Sequence, residues 1–422
     1  MPEAAPGCDE FDPNAKTLEQ ARAAILETCQ ALTATEEVSL EEALGRTLAE
    51  AVHARIDVPP AAVSAMDGYA LRTEDAREDT TLELVGTSAA GHPWEGEVGP
   101  GQCVRILTGA VVPAGAEVVI MQEQVRVTED GHGIRLLKGR FAPRHNIREA
   151  GSDTAANTPL YAPGQVFGAA EVGVLATQGI SRIPVLRRPR VAFFSTGDEL
   201  VPLGQPLGPG QIHDSNRHTL RALLRSCPVE ALDYGVIRDT EEEVREALTR
   251  AGEEADLIIT TGGVSVGDAD HVTRVLQASG QIGFWKLAIK PGRPLAFGRF
   301  GRAHFFGLPG NPVAVMTTFA LLARPALLAL AGRSADAPRT IRARLEEGLH
   351  KTPGRKDFQR GLLRAEGDDW SVRPVRGQNS HQLRAMSEAN AYIVLPRESD
   401  GARAGEQVEV LPFAEIFPES FG

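Results

Sequence analysis

The segment from residue 189 to residue 333 constrains the fold most, because strand-like and helix-like stretches alternate along it. Apolar runs such as VAFFS (191–195), DLIIT (256–260) and HFFGL (304–308) are separated by stretches with helical character. This alternation is typical of a mainly parallel, doubly wound sheet. The apolar run 313–332, which Arg324 and Pro325 interrupt, is expected to form a buried helix rather than a membrane span.

The remainder of the chain does not show this alternation of strands and helices. The expected fold is therefore α/β with several domains. Apolar residues at near-helical spacing predict a first helix within residues 17–33. Ser39 and Glu42 have the spacing of a capping box and predict a second helix through Leu48. Short β-rich runs between Gly and Pro turns predict β domains. The expected parts are a disordered tail (1–15), a helical or mixed platform (16–51 and 150–188), an inserted β domain (52–149), the doubly wound domain (189–333) and a C-terminal β domain resembling a barrel (334–422).

The net charge narrows the class of ligand that the protein binds, and the cysteine pattern narrows the cellular compartment. A net charge of -12 argues against a general binder of nucleic acid or anionic membranes, so an anionic ligand needs a local basic pocket. The four cysteines are scattered without a CxxC pair, which favours a reducing cytosol over a zinc site or a disulfide framework. The N-terminus lacks the basic region and apolar core of a signal peptide. We therefore expect a cytoplasmic protein.

Four loops rich in glycine, proline and polar residues follow predicted strands. In open α/β sheets, ligands bind at the carboxyl ends of the strands, where such loops lie. They are STGDEL (195–200), TTGGVSVGDAD (260–270), KLAIKPGRP (286–294) and LPGNP (308–312). The second loop has neither the order GxGxxG nor the GK[ST] of a P-loop, so NAD chemistry and ordinary NTP hydrolysis are poorly supported. Its free amides and hydroxyls predict an anion-binding concavity. The donors are Thr261, Gly262, Gly263, Ser265 and Gly267.

Basic residues nearby supply the positive charge that such an anion requires. Lys286 and Lys290 are four residues apart, a spacing that places both on one face of a strand, and Arg293 follows them. A solvated strand residue is the alternative reading for Lys286.

The acidic residues beside the glycine loop point to a metal. Asp198, Glu199, Asp268 and Asp270 would tolerate phosphates only with a cation between them, and Mg²⁺ commonly bridges carboxylates and phosphate oxygens. The alternative for Asp268 and Asp270 is that one of them caps the following helix.

Several isolated polar residues are weaker candidates, and each has a plain structural alternative as a turn former or a solvated residue. Asp214, Asn216 and Asp239 are expected at the same sheet edge, where they could contact a ribose, a base or a second cation. The β domains contribute Thr108, Gly109, Glu123, Arg148 and Asp153, the cationic stretch RKDFQRG (355–361), and Ser380 in GQNSH.

The quoted stretches together resemble the molybdopterin molybdenumtransferase family, which includes the MoeA proteins and the E domain of gephyrin. The similar segments occur in family order from about residue 17: SAMDGYA, RILTGA, IMQE, AGSD, STGDEL, GGVSVGDAD, FWKLAIKPGRP, GLPGNP and FQRG. The resemblance implies insertion of molybdenum from molybdate into adenylylated molybdopterin, with a divalent cation, and release of molybdenum cofactor and AMP. It also implies an elongated homodimer whose site lies between subunits, and handover to molybdoenzymes or contact with the adenylyltransferase.

The resemblance also implies roles for individual residues. Those with catalytic roles are Asp67, Thr108, Glu199, Asp270, Lys286 and Lys290, with Glu199 and Asp270 also holding Mg²⁺. The expected binding positions are Arg148, Asp153, Asp239, Gly262, Gly263, Ser265, Gly267, Arg293, Pro309, Gly310, Asn311, Arg360 and Ser380. Three positions depart from the usual family pattern: Ser152 stands where an acid is usual, Arg293 where a lysine is usual, and Asn379 where a glycine is usual.

Three other functions remain open. The first is a tungsten-inserting paralogue, because tungstate and molybdate differ too little for sequence to separate them. The second is an enzyme resembling the molybdopterin adenylyltransferase, which is similar to the middle domain standing alone. The third is a non-catalytic molybdopterin-binding scaffold. The flanking domains and the intact acids and lysines favour the molybdenum-inserting enzyme.

Overall fold

A computed structural model describes residues 12, 14–262, 271–279 and 281–417. The chain forms two compact units, residues 37–185 and residues 1–36 with 186–422. The first elements are helix α1 (Leu18–Thr28) and strand β1 (Thr35–Ser39). Helix α1 begins with a capping box, in which the Thr17 hydroxyl accepts from the Gln20 amide at 3.2 Å and the Gln20 side chain accepts from the Thr17 amide at 2.9 Å. This exchange satisfies two amides that the first turn leaves free.

The unit of residues 37–185 is built mainly from strands. A six-stranded sheet of order β7-β4-β6-β5-β9-β8 carries two of the unit's three apolar clusters. The elements are β2 (Val52–His53), β3 (Val63–Ser64), β4 (Gly68–Leu71), β5 (Thr81–Ser88), β6 (Gln102–Ile106), β7 (Val118–Met121), β8 (Val125–Val127), β9 (Gly133–Leu136), β10 (Ile147–Arg148), β11 (Pro159–Tyr161), α2 (Ala169–Thr177) and β12 (Arg182–Leu186).

The helix that the sequence predicts from Ser39 through Leu48 is much shorter in the structure. The capping box of Ser39 and Glu42 is present, but it opens only one 3-10 turn, Leu40–Glu42. A turn at Leu44 and Gly45 follows instead, and Thr47 and Leu48 then form β-bridges with Val166 and Val185. A capping box starts a helix but does not prolong one when tertiary pairing competes for the backbone groups.

The larger unit contains the predicted doubly wound sheet, in the order β16-β13-β17-β21-β20-β18. The first four strands are parallel, β20 runs antiparallel to them, and β18 pairs antiparallel with β20 and so runs in the direction of the first four. The elements are β13 (Arg190–Thr196), β14 (Leu200–Val201), β15 (Ile212–His213), α3 (Ser215–Arg225), β16 (Glu230–Ile237), α4 (Glu241–Glu254), β17 (Leu257–Thr261), α5 (His271–Ser279), β18 (Ile282–Lys286), β19 (Ile289–Lys290), β20 (Pro294–Phe300), β21 (Ala303–Leu308), α6 (Pro312–Thr318) and α7 (Arg324–Leu330).

Helices cover both faces of this sheet, which explains why its central strands are continuously apolar. Along β13, Val191 and Phe193 pack into one cluster with residues of α1, α3, α6 and α7. The alternate residues Ala192 and Phe194 pack into a second cluster with residues of α4 and α5. The core of the unit therefore lies on both sides of the strands whose ends position the candidate site.

Helices α6 and α7 form one helical run over 312–330, joined by a π turn at Phe319–Ala323. The turn precedes Pro325, whose missing amide would leave the Leu321 carbonyl without its usual donor. Arg22 of α1 donates to that carbonyl at 3.4 Å. The run is long and apolar enough to span a membrane by composition alone, but 83% of its most apolar window is buried inside the protein. It is the expected core helix.

The C-terminal strands close into a barrel. Strand β24 pairs with both β25 and β26, and β26, β28, β22 and β25 complete the circuit. Strand β19 joins the outside of the circuit by pairing with β24. The elements are β22 (Ile341–Leu345), β23 (Leu349–His350), β24 (Lys356–Glu366), β25 (Asp369–Pro374), α8 (Arg384–Glu388), β26 (Ala391–Leu395), β27 (Gly401–Ala402), β28 (Gln407–Pro412) and α9 (Phe413–Ile416).

Candidate functional site

Three of the predicted loops leave the sheet side by side. Strands β13, β17 and β21 are parallel neighbours, with Ser195 opposite Thr261 and Thr261 opposite Leu308. Their carboxyl ends therefore meet at one edge of the sheet, where ligands bind in this class of fold. The hydroxyls of Ser195 and Thr261 lie 2.9 Å apart and are buried. This contact ties the first two strands together directly beneath the loops.

Glu199 lies in a tight turn after β13. Gly197 has φ +152°, and a Cβ atom there would lie 2.5 Å from the Glu199 Oε2 atom. The positive φ favours glycine at position 197, and a side chain there would also displace the Glu199 carboxylate. The backbone carbonyl of Glu199 accepts from the Ile212 amide at 2.8 Å, which anchors the turn. The Glu199 side chain is exposed, so its carboxylate is available to a cation or a ligand.

The start of the glycine loop lies against the neighbouring strand ends. Gly262 has φ +82°, and its amide donates to the Leu308 carbonyl at 3.3 Å. Gly310 lies beside Gly262, because a Cβ atom on Gly310 would be 3.9 Å from the Gly262 Cα atom, an ordinary van der Waals contact. Asn216, in the first turn of α3, donates to the Gly310 carbonyl at 2.7 Å. The exposed Gly310 backbone is therefore accessible to an anion, whereas the Gly262 amide is engaged within the protein.

The remaining residues of that loop, 263–270, lie outside the described residues. The predicted roles of Gly263, Ser265, Gly267 and Asp270, and the alternative of a helix cap at Asp268 or Asp270, therefore stay predictions. Pro309 is buried and Asn311 is exposed at the turn between β21 and α6.

The prediction that Lys286 and Lys290 share one strand face is wrong. Lys286 is the last residue of β18 in the doubly wound sheet, whereas Lys290 belongs to β19, which pairs with β24 of the barrel. Between them, Leu287 and Ala288 are buried. A spacing of four residues defines a strand face only if the strand is continuous, and here the chain passes from one sheet to another.

An unexpected acid contacts two of the predicted cationic residues. The Asp12 Oδ2 atom lies 3.4 Å from Lys286 Nζ and 3.4 Å from Arg293 Nη2. The amide of Asn14, and next the charges of Lys286 and Arg293, hold the pKa of Asp12 below its usual value. Asp12 lies in the stretch 1–15 that the sequence suggests is a disordered tail, and a contact between residues so distant in sequence has no local signature.

Lys290 faces a second acid that sequence reasoning missed. In the β19·β24 pair Lys290 lies opposite Asp357, whose carboxylate is buried and accepts from Gln359 at 3.1 Å. Burial raises the pKa of Asp357, and the hydrogen bond from Gln359 and the charges of Lys290 and Lys351 oppose the rise. The signal available in the sequence was a single acid within the cationic stretch RKDFQRG.

In the barrel, Arg360 is hydrogen-bonded to the loop that carries Ser380. Arg360 is 1% exposed, and its Nη2 atom donates to the carbonyls of Gly377 at 2.7 Å and Asn379 at 3.3 Å. Ser380 follows in the same loop, and its carbonyl accepts from the Val313 amide at 3.1 Å. Arg360 therefore holds the loop that brings Ser380 next to the LPGNP turn.

The unit of residues 37–185 contains its own polar pair. Asp67 precedes β4 and Thr108 follows β6, and these strands are antiparallel neighbours with Gly68 opposite Ile106. The Asp67 Oδ1 atom accepts from the Thr108 amide at 2.7 Å and from the Thr108 hydroxyl at 2.8 Å. These two donors, and Arg105 to a smaller extent, hold the pKa of Asp67 below its usual value.

Arg148 and Asp153 are both exposed within the same unit. Strand β10, which carries Arg148, pairs with β3 just before the SAMDGYA stretch. The amide of Asp153 donates to the Val58 carbonyl at 3.0 Å. The side chain of Glu123 accepts from Gln122 at 3.2 Å, and Gly109 lies in the turn beside Thr108.

Asp214 and Asp239 have different surroundings at the sheet edge. Asp214 is 3% exposed, caps α3 by accepting from the Arg217 amide at 3.0 Å, and pairs with the Arg217 side chain. This is the structural alternative that the sequence left open. Asp239 is partly exposed in the loop between β16 and α4, at the end of the strand next to β13.

The carboxylates of this site suit a cation shared with the ligand better than a metal cage. Among the residues that the structure describes, no group of three or more His, Cys, Asp or Glu side chains is placed to hold a metal. Mg²⁺ in proteins usually keeps waters and uses one or two carboxylates plus substrate phosphates. The exposed carboxylates of Asp198 and Glu199 at the end of β13 fit that mode of binding.

Comparisons with known proteins identify the family. The sequence matches the MoeA N-terminal region (domain I and II) over residues 16–179, the probable molybdopterin binding domain over residues 192–329, and the MoeA C-terminal region (domain IV) over residues 342–413. A Haemophilus influenzae protein named molybdopterin molybdenumtransferase is 42% identical over 402 residues, which cover 95% of this chain and 99% of that protein. The chain belongs to the molybdopterin molybdenumtransferase family.

More distant relatives agree with this membership. A Nostoc molybdopterin molybdenumtransferase is 36% identical over 388 residues, which cover 89% of this chain and 88% of that protein. The crystal structure of the molybdopterin biosynthesis moeA protein from Pyrococcus horikoshii OT3 superimposes with a TM-score of 0.78 at 31% identity, and covers 94% of this chain and 99% of that one. The α/β multidomain fold and the enzyme family expected from the sequence are confirmed.

Proposed function

We propose that this protein inserts molybdenum from molybdate into adenylylated molybdopterin and releases molybdenum cofactor and AMP. The observation that carries the proposal is the convergence of the Glu199 turn, Gly262 and Gly310 at the carboxyl ends of β13, β17 and β21. This convergence lies within the segment that matches the molybdopterin binding domain. The flanking β domains support an enzyme of this family over an isolated adenylyltransferase.

The residues of the sheet edge suit a substrate that carries a diphosphate. The Gly310 backbone is exposed, whereas the Gly262 amide already donates to the Leu308 carbonyl; Lys286 and Arg293, with Lys290 from strand β19, supply positive charge to a chain that is otherwise acidic. When bound, Mg²⁺ neutralises charge on the phosphoanhydride, which helps AMP to leave. Glu199 and Asp270 would hold the metal.

The residues at the LPGNP turn suit molybdate, which is a tetrahedral dianion. Such an oxyanion needs backbone and side-chain donors, and the turn of Pro309, Gly310 and Asn311 precedes a helix N-terminus, which favours anions. The Asn216 side chain positions the Gly310 carbonyl. The loop that Arg360 holds brings Ser380 to the same turn.

We further propose a cytoplasmic homodimer in which Asp67, Thr108, Arg148 and Asp153 of one subunit complete the site on the other. The Asp67–Thr108 pair supports this proposal, because its exposed carboxylate is held in one orientation by two hydrogen bonds. The product would pass to a molybdoenzyme, and the substrate would come from the adenylyltransferase. Sedimentation at several protein concentrations tests the dimer.

The test of the activity is AMP release from adenylylated molybdopterin, with molybdate and Mg²⁺ each omitted in turn. We expect release to require both, and to fall strongly in Glu199→Gln, which keeps the shape of the side chain and removes its charge. Glu253→Gln, an exposed acid of α4, is the matched control and should behave as wild type. Binding of the substrate without any release would indicate a scaffold, and release with tungstate but not molybdate would indicate the tungsten paralogue.

A further inference from the structure

The N-terminal segment pairs with the chain beside two of the proposed ligand-binding cations. The Lys16 amide donates to the Lys286 carbonyl at 2.8 Å, and the Ala288 amide donates to the Lys16 carbonyl at 2.8 Å. The Lys16 ammonium group lies 5.2 Å from the centre of the Trp285 ring. These contacts hold Lys16 against the end of β18. Asp12, four residues earlier in the chain, is therefore held close to the site.

A local turn orients the Asp12 carboxylate. Its Oδ1 atom accepts from the Asn14 amide at 3.0 Å, and its backbone carbonyl accepts from the Ala15 amide at 3.1 Å. This is the turn that aspartate side chains commonly form two residues ahead. Because Oδ1 is engaged, Oδ2 is the oxygen that faces Lys286 and Arg293, at 3.4 Å from each. The aspartate side chain is 18% exposed, and that of Lys286 is 57% exposed.

We propose that Asp12 is an internal anion of the ligand site, which holds Lys286 and Arg293 together and is displaced when an anionic group of the substrate binds. The proposal rests on the proposed function only in that these two cations bind a phosphate or molybdate group. It adds a residue from the N-terminal segment to the site. It also predicts that removal of this acid improves ligand binding, the reverse of what removal of a supporting residue would do.

The charges make displacement feasible. Ion pairs with exposed partners are weak and are screened by salt, so one carboxylate cannot hold the two cations against a ligand of higher charge. A diphosphate or molybdate brings two or more negative charges and several acceptor oxygens. The apparent affinity for such a ligand is reduced by the fraction of molecules in which Asp12 occupies the pair.

The test compares the full chain with Asp12→Asn, which keeps the Oδ1 acceptor of the turn and removes the charge. Binding of inorganic pyrophosphate and of molybdate is measured by calorimetry at low salt, and the KM and kcat for AMP release are measured in parallel. We expect the variant to bind pyrophosphate about two- to fivefold more tightly, the range that exposed ion pairs supply. The gain should disappear at high salt, and KM should fall with kcat unchanged.

Two controls separate the possible failures. Glu27→Gln removes one negative charge from an exposed position on α1 and should leave pyrophosphate affinity unchanged. Lys286→Ala should weaken it. If Lys286→Ala weakens binding but Asp12→Asn leaves it unchanged or also weakens it, the role of Asp12 is overturned and the ligand site stands. If Lys286→Ala has no effect on pyrophosphate or molybdate, both the cation pair and the role of Asp12 are overturned.

Discussion

Replacement of Arg360 by methionine tests how the barrel supports the site. The guanidinium group is 1% exposed, and burial lowers the pKa of Arg360. Its Nη2 atom donates to the carbonyls of Gly377 and Asn379. The Gln378 side chain clamps the same loop from the other side, because it accepts from the Arg360 amide at 2.9 Å and donates to the Arg360 carbonyl at 2.9 Å. Methionine keeps the bulk of the side chain and removes both charged hydrogen bonds.

The magnitude follows from these contacts. A hydrogen bond from a charged donor contributes about 1.5–3 kcal/mol, so two bonds contribute about 3–6 kcal/mol. Removal of a buried charge recovers part of this, because desolvation of an ion costs several kcal/mol. We expect Arg360→Met to reduce the local stability of the 377–380 loop by about 2–3 kcal/mol, which corresponds to an open population about 30- to 140-fold larger.

Hydrogen exchange of peptides that cover residues 375–383 measures this loss directly. The Asn379 amide, which donates to the Gln382 side chain at 3.0 Å, is the most informative reporter in the loop. Arg364→Met is the matched control, because Arg364 is exposed on the same strand β24, and it should leave exchange unchanged. Unchanged exchange in Arg360→Met as well would mean that Arg360 does not hold this loop.

Three further predictions concern stability and ionisation. Gly292→Ala should destabilise the protein by about 1–3 kcal/mol in denaturant unfolding, because a Cβ atom at φ +108° would lie 2.5 Å from Thr318 Cγ2. Burial lowers the pKa of His304 to about 4. The free energy of unfolding should therefore be fully retained above pH 6.5 and fall by about 3 kcal/mol as the pH drops toward 4. Unfolding of His304→Gln, measured over the same pH range, should lack that loss. Thr108→Val should raise the pKa of Asp67 part of the way to its usual value, measured by NMR titration, because the hydroxyl donor is lost while the backbone amide donor, the larger cause, is kept.

The sequence predicts the elements of the large unit well, because their signals are local. Helix α4 follows the Thr240 cap, whose hydroxyl accepts from the Glu243 amide at 3.4 Å, and β13 and β17 are short apolar runs between such helices. Alternation of this kind also implies which strand ends lie together. Local patterns therefore suffice to assign the turns at Gly197 and Gly310 to one edge of a sheet.

Features that depend on tertiary pairing cannot be predicted from local sequence patterns. The chain leaves one sheet at Lys286 and joins the barrel at Ile289, and nothing in the alternation of residues marks that change. The helix expected after Ser39 gives way to β-bridges with distant strands. Asp12 and Asp357 acquire their importance from partners far away in the sequence, so that neither has a motif of its own.

In the proposed function, this chain couples molybdenum insertion to loss of AMP. The most direct measurement is a single turnover with stoichiometric adenylylated molybdopterin, in which AMP is quantified by chromatography and molybdenum cofactor by reconstitution of a molybdenum-free molybdoenzyme. We predict that the two products appear together in equal amounts, only when molybdate is present. AMP release that does not depend on molybdate, or that yields no competent cofactor, would show that the two events are not coupled in this protein.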